Sequence, residues 1–169
     1  MVSAEGQITT TTGLECDDNV KDTIIKLVAK GGEVSLKNLT AGIRERSAHL
    51  FYVARRGKVS VAGALKNPLE GYRENITEKA GFELGVSDFP LELGYIYVDV
   101  SERKKGFGGA IVEAALNAAN GAGVFATTRV SNEAMQKLLP RYGFTKVGQP
   151  YLSDSGDYEL VLMVHPARR

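Results

Sequence analysis

The sequence predicts a single α/β domain. Runs rich in β-branched and aromatic residues alternate with segments whose apolar residues recur at helical spacing. A strand, a basic glycine-rich turn and an amphipathic helix follow one another from Leu93 to Leu116. The length of 169 residues, with 43% hydrophobic and 24% charged, suits one compact soluble core and leaves little room for a second. A folded chain of this size buries roughly 70% of the surface its unfolded form exposes, so neither disulfide nor metal is needed to build that core.

The elements follow in order. Residues 7–14 are rich in threonine and alternate weakly, which predicts a first strand at a sheet edge. Asp17 and Asp18 then precede Val20, Ile24, Leu27 and Val28 at helical spacing, and the run stops at Lys30 before Gly31-Gly32, so both helix ends carry their signals. A second helix begins at Ser35 and carries Leu36, Leu39 and Ile43. Residues 49–55 and 58–65 are β-rich runs joined by Arg56-Gly57, a tight hairpin. Pro68 closes the second of them.

From residue 69 to 90 the pattern weakens. Gly71, Gly81, Gly85 and Pro90 are scattered among charges, which predicts a long, partly irregular excursion, and long loops in compact domains are often functional. Residues 91–100 form a strand dense in Tyr, Ile and Val. After the glycine turn comes a helix with Ile111, Val112, Ala115, Leu116 and Ala119 on one face, ending at Asn120-Gly121. A strand at 124–130, a helix from Ser131-Asn132 to Leu139 before Pro140, and strands at 143–147 and 158–164 complete the chain. The predicted order is β-α-α-β-β-β-α-β-α-β-β, with about seven strands and about four helices and no internal repeat.

Composition narrows the function classes. Twenty-one Lys and Arg against 20 Asp and Glu leave a formal charge of +1, without the excess a general phosphate-backbone binder carries, so nucleic acid is disfavoured as a partner. Cys16 stands alone, which removes an intramolecular disulfide and any Cys-rich metal site. His49 and His165 lack a third ligand nearby, so no metal is expected. Residues 1–15 lack the basic start and apolar run of a secretory signal. No apolar stretch approaches the roughly 20 residues a membrane helix needs, so the expectation is a cytoplasmic protein with no membrane contact.

The glycine turn is the most informative segment. A helix N-terminus presents unpaired backbone N–H groups and about half a positive charge, and glycines let phosphates approach that backbone. Arg103, Lys104 and Lys105 add side-chain charge beside Gly106, Phe107, Gly108 and Gly109. The turn is a candidate pyrophosphate cradle. A P-loop needs Lys and Ser or Thr after its last glycine, and Ala110-Ile111 stands there. A dinucleotide fingerprint needs a third glycine where Ile111 stands, and no acidic residue ends the next strand.

Arg103-Lys104-Lys105-Gly106-Phe107-Gly108 resembles the Arg/Gln-x-x-Gly-x-Gly/Ala turn of the GNAT superfamily of acyl-CoA-dependent N-acyltransferases, and it directly follows a strand. Asn132-Glu133-Ala134-Met135 through Tyr142-Gly143-Phe144 is similar to that family's second segment, in which Asn opens a helix and Gly-Phe begins the next strand. The resemblance spans nearly the whole chain and implies a mixed, mostly antiparallel sheet splayed at its central strand to admit CoA, in a single N-acetyltransferase domain over residues 1–169.

By that resemblance, the amides from Lys104 to Gly109 would hold the CoA pyrophosphate, and the backbone from Tyr97 through Val98 to Val100 would pair with the pantetheine arm. The Val98 amide would stabilise a tetrahedral oxyanion. Asn132 would contact the pantetheine or phosphate region. Amine acetylation also needs a base for the nucleophile and an acid for the departing thiolate. The family's usual acid, a Tyr seven residues after the Asn, is replaced by Leu139, and Tyr142 sits three residues late. Glu92, eleven residues before Arg103, resembles the family's glutamate base, and Glu83 and Asp88 are alternatives that would bind a cationic substrate. Strand alternation puts Glu92, Gly94, Ile96 and Val98 on one face and Leu93, Tyr95, Tyr97 and Asp99 on the other.

The implied activity is transfer of an acetyl group from acetyl-CoA to a primary amine by direct attack in a ternary complex, with residues 69–90 contributing to the acceptor pocket. Two alternatives stay open. One is a CoA-binding sensor or regulatory module without catalysis, to which Leu139 lends weight; the other is a toxin that acetylates aminoacyl-tRNA, which the charge balance disfavours. A homodimer is compatible with the resemblance. Arg44, Arg46, Arg55 and Arg56 read as solvated surface, and Arg168-Arg169 as a frayed tail.

Overall fold

Asp17 opens the first helix as the sequence predicts: its carboxylate accepts the Asn19 N–H at 2.7 Å, satisfying one of the donors a helix start leaves unpaired. The computed structural model describes residues 6–168, so residues 1–5 of the polar N-terminal stretch and Arg169 of the expected tail lie outside the described residues. Seven strands run in the order β1-β2-β3-β4-β5-β7-β6, with five α-helices. The chain divides into two compact units, one holding the described residues up to Lys66 with 94–118, the other 67–93 with the described residues from Ala119.

In the first unit, β1 (Thr9–Thr12) lies at a sheet edge, antiparallel to β2 (Ser47–Arg55), with Thr12 opposite His49. Arg56 and Gly57, at φ of 52° and 76°, form the primed turn that joins β2 to β3 (Lys58–Lys66). Helices α1 (Asp18–Ala29) and α2 (Leu36–Glu45) bury Ile24, Leu27, Val28, Leu39 and Ile43 with Leu50 and Ala64. Fully burying each such side chain stabilises the fold by about 1.5–3 kcal/mol. Ser35 caps α2 by accepting the Asn38 N–H, whereas Leu36, expected on its apolar face, is exposed. Helix α4 (Phe107–Ala119) buries Ile111, Val112 and Ala115.

Strand β4 (Leu91–Val98) begins in the second unit and continues into the first. Tyr95 holds a left-handed φ of 57°, which interrupts the expected two-residue alternation. Its ring packs on the cluster under α1 and α2, and a β-carbon built on Gly42 would stand only 2.0 Å from its hydroxyl, so this seat requires glycine. Glu92 and Leu93, predicted on opposite faces, are both buried.

The second unit corrects the sequence reading most. Residues 69–90 hold a helix, α3 (Glu70–Ala80), ended by left-handed Gly81. Its weak periodicity has a physical cause: the inward stripe is Arg73, Ile76 and Ala80, so a buried arginine stands where an apolar residue would mark the pattern. Arg73 donates to the carbonyls of Phe89 at 2.6 Å and Pro90 at 2.8 Å, fastening the following loop.

Strand β5 (Val124–Arg129) pairs in parallel with β4 at Leu91↔Val124 and Glu92↔Phe125, and antiparallel with β7 (Glu159–His165). Helix α5 (Glu133–Leu138) stops one residue short of the expected end and tightens into a 3-10 turn, Leu139–Tyr142, because Pro140 has no N–H to continue it. β6 (Thr145–Leu152) starts two residues later than predicted and runs further, with an irregularity between Val147 and Tyr151.

Candidate active site

In the first unit, β4 stops at Val98 rather than at residue 100. The Asp99 N–H donates to the Ser60 carbonyl at 2.8 Å, and Val100 opens a 3-10 turn, Val100–Glu102, with most of its surface exposed. Asp99 caps that turn; the Ser101 hydroxyl at 2.6 Å, then the Ser101 N–H and the positive charge of Lys30, hold its carboxyl below the ordinary range.

The chain then doubles back. Lys104 at φ 64° and Gly106 at φ 82° are both left-handed, and the Ala110 N–H donating to the Gly106 carbonyl at 3.1 Å starts α4 directly afterwards. A left-handed lysine is uncommon and costs about 1–2 kcal/mol, which marks the turn as a specialised backbone shape. A β-carbon built on Gly106 meets nothing within 4 Å, so the space over this helix start is open to a ligand. The first N–H groups of α4 have no carbonyl partner inside the helix, and the helix dipole adds partial positive charge there.

Basic side chains border the turn. Arg103 donates from Nε to the Val98 carbonyl at 3.1 Å, and its guanidinium lies 5.9 Å from the Tyr97 ring centre. Lys105 lies 3.4 Å from the buried Glu102 carboxylate, whose other oxygen is 3.1 Å from Arg55 Nε. Arg55, read from sequence as solvated surface, is therefore part of an ion-pair network behind the turn. The residues present fit a diphosphate: open backbone donors, a positive helix end and flanking cations.

In the second unit, Glu92 is 3% exposed and its Oε2 accepts the Tyr72 hydroxyl at 2.7 Å. Burial first, then the Glu92 charge, drive the Tyr72 phenol well above its ordinary range, while a hydrogen bond from Thr127 acts the other way. Burial and the Glu92 charge also raise Tyr151. The Tyr151 hydroxyl is buried with no hydrogen-bond partner among the described residues. Tyr72, Thr127 and Tyr151 escaped the sequence reading; only the hidden helix α3 and the strand register bring them to Glu92.

The other sequence candidates separate. Asn132 accepts the Met135 N–H at 3.1 Å and so caps α5. Leu139 is buried at 1% exposure, and Tyr142 is half-buried at the end of the 3-10 turn. Glu83 and Asp88 are exposed. Among the described residues no three His, Cys, Asp or Glu side chains gather as a metal site needs, and no helix is long and apolar enough to cross a membrane.

The mixed seven-stranded sheet and the left-handed glycine turn opening α4 define an α/β fold with an anion-binding helix start. Residues 32–144 match the model of the acetyltransferase (GNAT) family, and the chain belongs to that family. Solved structures share the architecture. An acetyltransferase of the GNAT family from Streptococcus agalactiae superimposes with a TM-score of 0.68 at 16% identity, covering 97% of this chain and 98% of that one. The ribosomal-protein-S18-alanine N-acetyltransferase of Escherichia coli gives 0.66 at 17%, covering 96% of each chain. The yncA protein of Salmonella typhimurium, solved with its cofactor acetyl-CoA, gives 0.62 at 16%, covering 96% of this chain and 94% of that one. No curated protein matches the sequence. GNAT acetyltransferases use acetyl-CoA, and acetyl transfer is the activity of the family to which this chain belongs.

Proposed function

We propose that this protein moves an acetyl group from acetyl-CoA to a primary amine by direct attack, as one N-acetyltransferase domain in a reducing, cytoplasmic setting that suits its lone Cys16. The observation that carries the reading is the open, left-handed Gly106 at the start of α4 beside Arg103, Lys104 and Lys105. The amides of residues 104–109 would hold the pyrophosphate, and the end of β4 at Tyr97 and Val98, with the exposed Val100, would line the pantetheine arm, while Asn132, the cap of α5, is the cofactor-contact candidate of the second unit.

Acetyl-CoA supplies an activated thioester: a C–N bond forms as the C–S bond breaks. The residues of the chain manage charge and protons around that exchange. The Val98 N–H is the donor for the developing oxyanion. Glu92 would take the proton from the acceptor's ammonium, directly or through a water molecule, and pass it to solvent; Tyr142 would give its proton to the leaving thiolate and be reprotonated by the proton the nitrogen sheds as the amide forms.

A second reading, a CoA-binding module without turnover, is favoured by one observation: the family's usual acid position is Leu139, and it is core. Calorimetric titration with acetyl-CoA and CoA tests the first step. Binding in the micromolar range, abolished in Gly106→Glu, supports the cofactor assignment, and absence of binding by the folded protein overturns it. Thiol release across an amine panel then separates enzyme from module.

A further inference from the structure

We propose that Tyr151 and Thr127, together with Glu92, form the seat of the acceptor's primary amine nitrogen, and that Tyr72 is a positioning residue that holds the Glu92 carboxylate toward it. This deepens the acetyl-transfer reading and rests on it for the identity of the bound group as an acceptor.

Register brings these residues together. Glu92 pairs with Phe125, and Thr127 stands two residues along β5, on the same face. Thr127 pairs with Leu162, and the next same-face residue of β7, Leu160, pairs with Tyr151. The packed cluster confirms that face: Phe125, Leu162 and Tyr151 bury together with Ile76 and Ala80 of α3. Tyr72, in the first turn of α3, reaches the same face through its 2.7 Å bond to Glu92. The cluster borders solvent, since Thr127 is partly exposed and Tyr72 retains 40% exposure.

The unexplained feature is the Tyr151 hydroxyl. At 8% residue exposure it lies in an apolar cluster with no partner among the described residues, although almost every buried polar group in a folded protein is hydrogen-bonded. Its phenol feels the Glu92 charge, so the two groups share one electrostatic environment. An alkylammonium has three N–H donors, and a carboxylate with two hydroxyl oxygens offers acceptors of matching chemistry. Quaternary ammonium ions have no N–H to give, and an alcohol brings neither charge nor three donors. The seat therefore favours an ammonium that carries N–H donors, a primary one with three most of all, over a quaternary ammonium or an alcohol.

The test uses the full chain labelled with 13C in its tyrosine rings, with Tyr151→Phe and Tyr72→Phe assigning the two signals. n-Butylamine hydrochloride and spermidine are titrated at neutral pH, with butyltrimethylammonium and n-butanol as controls. A saturable shift of both signals with an amine, absent with the controls, is expected. Affinity read on the Tyr72 signal falls about tenfold in Tyr151→Phe, as loss of one hydrogen bond to a charged group implies. Thr127→Val, of nearly the same shape, reads the second hydroxyl. No saturable shift with either amine, or equal affinity in Tyr151→Phe, overturns the proposal. Acetyl-CoA titrated into the same sample separates the two readings. Acetyl-CoA binding without amine binding removes the seat and leaves acetyl transfer standing; amine binding without acetyl-CoA binding removes acetyl transfer and leaves the seat.

Discussion

The Tyr72 hydroxyl donates to Glu92 Oε2 at 2.7 Å, joining the first turn of α3 to the start of strand β4. A buried carboxylate that loses a donor is poorly solvated, and hydrogen bonds to charged groups contribute about 1.5–3 kcal/mol. Tyr72→Phe should lower the free energy of unfolding by an amount in that range, seen as a lower urea midpoint at an unchanged slope of the transition. Glu92→Gln in the same background measures the coupling: a double variant whose loss equals the sum of the single losses would show that the bond contributes nothing.

Arg73 fastens the loop that leads into β4. The residue is 2% exposed, and its guanidinium donates to the Phe89 and Pro90 carbonyls and lies 5.4 Å from the centre of the Phe125 ring. Arg73→Met keeps the apolar stem but strips donors from carbonyls beside the start of β4. A loss of about 3 kcal/mol is expected, with faster proteolysis within residues 81–90, since leaving each such group unpaired costs about 1–3 kcal/mol. Unchanged cleavage of that segment would remove the fastening role.

How legible each part was depends on where its information lies. Local signals carried α1, with Asp17 at its start, the Arg56-Gly57 hairpin and the glycine turn, because caps and left-handed positions are written in adjacent residues. Helix α3 was hidden because Arg73 replaces an apolar residue in its buried stripe and Leu69 gives no side-chain cap. The same gap hid half the candidate site. Tyr151 and Thr127 meet Glu92 only through pairing across β4, β5, β7 and β6, and register between distant strands leaves no mark on any one segment.

Leu139 and Tyr142 make opposite predictions. Leu139 is 1% exposed, so Leu139→Tyr, which restores the family's usual residue, forces a larger ring and a hydroxyl into core. Overpacking of this kind costs about 1–3 kcal/mol, so the thermal midpoint should fall with no gain in turnover. Tyr142→Phe, at a half-buried site, should leave the midpoint unchanged and lower kcat while KM for acetyl-CoA is retained. A Leu139→Tyr variant that is both stable and faster would move the acid to residue 139.

Tyr151→Phe should separate stability from binding. The folded state raises the Tyr151 pKa above the unfolded value near 10, first through burial and then through the Glu92 charge. The folded protein therefore keeps a proton that the unfolded chain releases above that pH. This contribution is fully present below about pH 10 and is lost at about 1.4 kcal/mol per pH unit as pH rises past it, until the folded group also titrates. Removing the hydroxyl should flatten that alkaline limb, measured as the urea midpoint against pH with tyrosinate absorbance alongside. At neutral pH the same change removes a buried oxygen that has no partner among the described residues, so stability should rise by about 1 kcal/mol. A protein made more stable by losing a hydroxyl, yet binding amines less tightly, carries that group for its ligand. A fall in neutral-pH stability would instead mean that the hydroxyl is already satisfied in the free protein, and the seat would lose its main support.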